Sequence, residues 1–128
     1  MISHDTCLAI LDTVNHAIVF VDNGHIIRYL NKAAAKRYYE QRGYSDIIGH
    51  SLLDYHGAAS QAQIKEVYQR LQTGEDQISL GVNQYNELTT VVAVRDKDRS
   101  LLGYYEWFEK VPLVDTVPGG PGPVGLGT

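Results

Sequence analysis

The sequence predicts an α+β domain: a five-stranded antiparallel sheet, a helical insert after strand 2, and a flanking helix at the N-terminus. Three observations carry that expectation. A strand–turn–strand pattern runs from Ala17 to Leu30, helical periodicity fills the middle of the chain, and three strand-like segments follow it. The hairpin is apolar on both sides, with Ile18, Phe20, Ile27 and Tyr29 on one and Ala17, Val19, Val21, Ile26 and Leu30 on the other. A hairpin open to water on one face would alternate apolar and polar residues. Each face therefore needs a cover, one from the insert and one from the N-terminal helix.

At 128 residues the chain is expected to form one domain with a sizeable core. The net charge of −4, with Lys and Arg scattered, gives no basic stripe for nucleic acid and no basic amphipathic helix for a membrane surface. The single cysteine, Cys7, excludes a disulfide framework and any CxxC or CxxCH motif, c-type haem attachment included. No apolar run approaches the ~18 residues of a membrane span, and Met1 opens no signal segment. A cytoplasmic protein is the simplest expectation. The 9 tyrosines are read as core and interface residues.

Taken in order, residues 1–14 form an amphipathic helix, capped by Ser3, with a stripe of Cys7, Leu8, Ile10, Leu11 and Val14. Cys7 is expected to be a buried apolar residue. Asn23-Gly24 is the strongest short hairpin signal and predicts a type I′ turn, which sets Phe20 opposite Ile27 and Ile18 opposite Tyr29. Asn31 caps a helix over Lys32–Arg42 that Gly43 ends, with Ala34, Ala35, Tyr38 and Tyr39 inward and Lys32, Lys36 and Arg37 solvated. Residues 44–57 break into single turns packed through Ile47, Ile48, Leu52 and Leu53. Ser60 to Gln63 has the capping-box form before Ile64, Val67, Tyr68 and Leu71, and Gly74 stops that helix. Strands follow at Gln77–Asn83, Leu88–Arg95 and Leu101–Val111, and Pro112 ends regular pairing. Residues 113–128, rich in Gly and Pro, are expected to be a disordered tail, leaving 15–112 as the folded domain.

Asp22 closing the first strand, Asn31-Lys32-Ala33-Ala34 opening the helix, Ile48-Gly49-His50-Ser51-Leu52 and Leu102-Gly103-Tyr104-Tyr105-Glu106 stand in a fixed order. Together they resemble the PAS domain family, sensory modules of kinases and transcription regulators, over Ala17 to Val111. Gly24 comes one residue earlier than the family's turn glycine. The resemblance implies a pocket between the inner sheet face and the insert. Its candidate walls are Ile18, Phe20, Tyr29, Val92, Tyr105 and Trp107 from the sheet, Tyr38, Ile48, Leu53 and His56 from the first part of the insert, and Val67, Tyr68, Leu71 and Leu80 beyond. The plain alternative is that these residues only fill a core. The candidate dimer interface is Leu8, Ile10, Leu11 and Val14 with Val19, Val21 and Glu106, because Glu106 alternates with Tyr105 and Trp107.

A photoactive flavin or hydroxycinnamyl chromophore needs an insert cysteine, and Ser45 to Gly74 has none. Haem b needs an axial ligand. Ala58–Thr73 lacks histidine, so only His56 or His50 remains, and haem is not expected. His4, His16 and His25 are too dispersed for a metal site. The expectation is a homodimeric sensor in signal transduction or transcription regulation, binding a small molecule or partner, and not an enzyme. The alternatives are a purely structural interaction domain and a cone-shaped isomerase-like enzyme, which would carry a pocket carboxylate with a raised pKa.

Overall fold

The computed structural model describes residues 1–112. The elements are α1 (His4–Asp12), β1 (Ala17–Asp22), β2 (Ile27–Leu30), α2 (Lys32–Ala35) continued by a π-helical turn (Lys36–Gln41), a 3-10 turn (Leu52–Tyr55), α3 (Ala58–Gln72), β3 (Gln77–Val82), β4 (Glu87–Arg95) and β5 (Leu101–Lys110). The five strands form one antiparallel sheet in the order β2-β1-β5-β4-β3. The expected fold class is therefore present. The expected tail, 113–128, lies outside the described residues.

Paired residues of an antiparallel ladder share a face, so the register fixes which side each strand residue takes. One rung runs Val19–Glu106–Val91–Ile78 and its neighbours hold Val21–Tyr104 and Ala17–Phe108. These residues join Tyr38, Ile47, Leu52, Ile64, Val67 and Leu71 in one buried cluster, which makes this the inner, insert-covered face. The rungs Tyr29–Phe20–Tyr105–Val92 and Ile18–Trp107–Thr90 take the opposite, outer face. The expected sidedness is thus inverted. Ile18, Phe20, Tyr29, Val92, Tyr105 and Trp107 do not face the insert, whereas Val19, Val21 and Glu106 do. Both faces of β1 are apolar, so alternation alone could not choose between them.

The hairpin register differs as well. Val21 pairs with Ile27, then Phe20 with Tyr29, with a bulge between them. Asp22 explains this. Its Oδ1 accepts from the amides of Gly24 (2.9 Å) and Ile26 (3.1 Å), its carbonyl accepts from His25 N (2.9 Å), and His25 takes the left-handed conformation at φ 65°. An Asx side chain that bonds its own backbone two residues on is a turn former in its own right, and it replaces the type I′ turn. The same turn recurs twice. Asn83 Oδ1 accepts from Tyr85 and Glu87 with Asn86 at φ 61°, and Asp96 Oδ1 accepts from Asp98 and Ser100 with Arg99 at φ 69°.

Asn31 is the main joint. It is fully buried, and its Oδ1 accepts from the amides of Ala34 and Ile18, both at 2.9 Å. Its Nδ2 donates to the carbonyls of His16 (2.9 Å) and Leu11 (3.2 Å). One side chain therefore caps α2, extends β1 and holds the C-terminal end of α1. Ser3 caps α1 as expected, accepting from Thr6 N. However, α1 buries none of its residues: Ile10 and Cys7 are exposed, and Leu8, Leu11 and the following Val14 are half-buried. A short helix gains its stability from packing an apolar face, and here only part of the stripe is packed, so Cys7 is not a core residue; on the outer sheet face Ile18 is buried while Phe20, Tyr29, Tyr105 and Trp107 are half-buried.

α3 begins at Ala58 after Gly57, two residues before the expected cap at Ser60. Gln61, a first-turn side chain, reaches back instead, and its Nε2 donates to the carbonyls of Leu53 and His56, both at 2.9 Å. Ile64, Val67 and Leu71 are buried against the sheet, each worth about 1.5–3 kcal/mol of apolar transfer.

Candidate functional site

Two departures from regular structure open a cavity of ≈ 240 Å³ between the insert and the inner sheet face. The first is the π-helical turn, where Arg42 N bonds Arg37 O at 3.1 Å. Such turns carry one extra residue and often stand at functional sites. This one turns Arg37 inward, where it is 8% exposed, against the expectation of a solvated face. Its guanidinium stacks 4.0 Å over the Phe108 ring and forms an ion pair through Nη1 with Glu87 of β4. The second is a bulge in β3 between Ser79 and Gly81, with Gly81 at φ 83°. Bulges re-aim side chains and end pairing beside sites.

The floor of the cavity is Glu106, 5% exposed in the middle of the sheet. Its three rung neighbours are apolar, and among the described residues its carboxyl makes no hydrogen bond. Burial pushes its pKa up to about 7, with Arg37 and Arg42 pulling the other way. Arg37 and Arg42 form one wall, with Tyr38 between them; burial also raises the Tyr38 phenol. Arg42 lies 5.5 Å from the Tyr38 ring centroid and 5.0 Å from that of Tyr85. Among the described residues, Arg37 Nε is the one buried side-chain nitrogen or oxygen without a partner. His56 is half-buried at the cavity, its pKa lowered by burial and by Arg42. Ser60, Gln63 and Asn83 supply further polar groups, and Ile64, Leu80, Val82, Thr89 and Phe108 complete the lining.

Of the expected walls, Tyr38, His56 and Leu80 line this cavity. Val67, Tyr68 and Leu71, with Leu80, line instead a separate void of ≈ 10 Å³ under α3, about the room of one water. For them core filling is the correct description. Leu53 packs against the core without lining either space, and Ile48 is 39% exposed because its neighbour Ile47 takes the inward position. Val19 and Val21 have no exposed area, and Glu106 meets the insert, so these three do not form a dimer surface. His50 is exposed in the loop before the 3-10 turn and lies outside the cavity. Sequence reasoning missed Arg37, Arg42, Gln63, Asn83 and Glu106. The usable signal was Glu106 itself, a carboxylate two residues from aromatics on either side.

The family model described as "PAS domain" matches residues 8–111. The chain belongs to the PAS domain family. No curated protein matches it. Among solved structures, a C-terminal domain from Streptococcus mutans is similar at 20% identity and a TM-score of 0.69, covering 85% of each chain. The PAS domain of a Colwellia psychrerythraea protein follows at 16% identity and a TM-score of 0.64, covering 84% of this chain and 95% of that one. A sensory box sensor histidine kinase from Vibrio cholerae matches at 16% identity and a TM-score of 0.58, over 85% and 91%. These likenesses concern the fold. Among the described residues no helix is long and apolar enough to cross a membrane.

Proposed function

We propose that this PAS domain is a cytoplasmic, homodimeric, non-catalytic sensor, in signal transduction or transcription regulation, that takes a small molecule into the cavity above Glu106. The observation carrying this reading is a cavity lined by Arg37, whose buried Nε has no partner among the described residues, and by Glu106, a carboxyl only 5% exposed among apolar rung neighbours. Buried polar groups in folded proteins are normally bonded, so an orphaned donor beside a buried carboxyl and open space is matched to something that enters it. Occupancy would shift the domain only if the ligand binds its two conformations unequally. The dimer surface in this reading keeps Leu8, Ile10, Leu11 and Val14 and exchanges the three sheet residues for the outer-face Phe20, Tyr29, Tyr105 and Trp107, all half-buried.

Comparing native with denatured mass of the purified protein tests the sensor reading, and an absorption spectrum tests for a coloured cofactor. Retained mass, or thermal stabilisation by members of a metabolite library, is expected. A purely structural interaction domain would show neither. The isomerase reading keeps one point in its favour, the raised pKa of Glu106. It predicts turnover of an enolisable ketone that Glu106→Gln abolishes, and no turnover is expected.

A further inference from the structure

We propose that the cavity is built for a small organic carboxylate, held by Arg42 and the free Nε of Arg37 against the buried carboxyl of Glu106. This rests on the reading of the cavity as a ligand site.

Charge balance gives the sign of the ligand. The Arg37 cation is matched by Glu87. Among the described residues Arg42 has no carboxylate within ion-pair distance, so the lining carries one unmatched cation and one orphaned donor. A bound anion supplies both with a charge-assisted bond. Volume and polarity give its class. The space of ≈ 240 Å³ is many times the room of a single water, enough for a short carbon chain. Ile64, Val82 and Phe108 offer such a chain an apolar wall that inorganic phosphate would leave unfilled.

The protonation of Glu106 is set by what surrounds it. Arg37, Tyr38 and Arg42 face it from the α2 turn, His56 stands at the same cavity, and Tyr68 and Tyr104 share the small void beneath α3. Its three rung neighbours, Val19, Val91 and, one strand further, Ile78, are apolar. The two cations favour the ionised carboxyl; burial opposes them and prevails. An incoming carboxylate is a like charge and favours the proton further, so binding takes up or retains a proton.

The test is calorimetric titration of the full chain with butyrate at pH 6 and pH 8, with butyramide and inorganic phosphate as controls. Butyrate should bind at pH 6 and about tenfold more weakly at pH 8, as Glu106 loses the proton it donates, while butyramide and phosphate should not compete. Glu106→Gln, which keeps a donor at every pH, should bind butyrate with the pH dependence removed. Arg42→Ala should weaken binding at least tenfold at both pH values, its fold checked by circular dichroism. Absence of butyrate binding, equal binding of butyramide or phosphate, or an unchanged pH dependence in Glu106→Gln overturns the inference. If the protein retains another small molecule by native mass while butyrate does not bind, the sensor reading stands and the carboxylate class falls. If nothing is retained and nothing binds, both fall.

Discussion

Glu106 and Gly103 occupy the same strand, and each is explained by one neighbour relation. Glu106 lies between Val19 and Val91 on its rung, and burial raises its pKa to about 7 from an ordinary value of 4.5. The folded state therefore holds a proton that the unfolded chain gives up between those values, and this group's contribution falls as pH rises through that window. Glu106→Gln should stabilise the domain relative to the parent at pH 8 by a few kcal/mol and little at pH 5, read as the difference in melting temperature at each pH. Taking the difference matters, because His25 and His56, with lowered pKa values, destabilise both proteins alike as pH falls. Gly103 sits opposite Asp22 at φ 152°, and a Cβ there would lie 2.2 Å from the carbonyl oxygen of Val21. Nothing can yield, since the contact is backbone. Gly103→Ala should cost about 4 kcal/mol or more, seen as an early urea midpoint or insoluble protein. Gly24→Ala, whose nearest contact is 3.4 Å, should be mild. Gly103 was legible as part of the family pattern. The direction of Glu106 was not, because a strand with apolar residues on both faces carries no parity signal.

At the scale of elements, the caps at Asn31 and Ser3 were legible, whereas the start of α3 and the type of the first hairpin turn were not. Asn31 and Ser3 cap helices where a short polar side chain precedes a helical stripe, a relation local enough to read directly. The hairpin turn depended on a competition between two local signals, Asn23-Gly24 and Asp22, and the carboxylate of Asp22 prevailed with three bonds, including one to Arg28 Nε at 2.7 Å. The π-helical turn left no trace in the apolar pattern, so Arg37 looked solvated. Asn31→Ala removes the acceptor of two buried amides at once. It should cost about 3 kcal/mol, combining a lost cap with unsatisfied buried groups. Asn31→Asp, which keeps the acceptor and loses both donors, should fall between Asn31→Ala and the parent in chemical denaturation. A loss below ~1 kcal/mol for Asn31→Ala would mean that α1 and α2 are held by other contacts.

For the whole molecule, the outer face is the surface that remains to be covered. Phe20, Tyr29, Tyr105 and Trp107 sit on adjacent rungs across three strands, half-buried, with His16 stacked 4.8 Å from Trp107. Contiguous apolar patches of this kind mark association sites. Tyr105→Glu should convert the proposed dimer to monomer in sedimentation equilibrium while moving the melting temperature of the monomer by no more than a few degrees. A parent protein that sediments as a monomer at its highest soluble concentration would refute the dimer. The strand order has a mechanical consequence as well. β1 and β5 are central neighbours, and Ala17, where β1 begins, pairs with Phe108 near the end of β5. Tension applied across these two chain ends would load the Ala17–Phe108 rung first and open the ladder rung by rung, like a zipper, instead of shearing all the bonds together. The third rung to part would be Val19–Glu106, which also floors the cavity, so a molecule bound there would be felt as resistance to pulling.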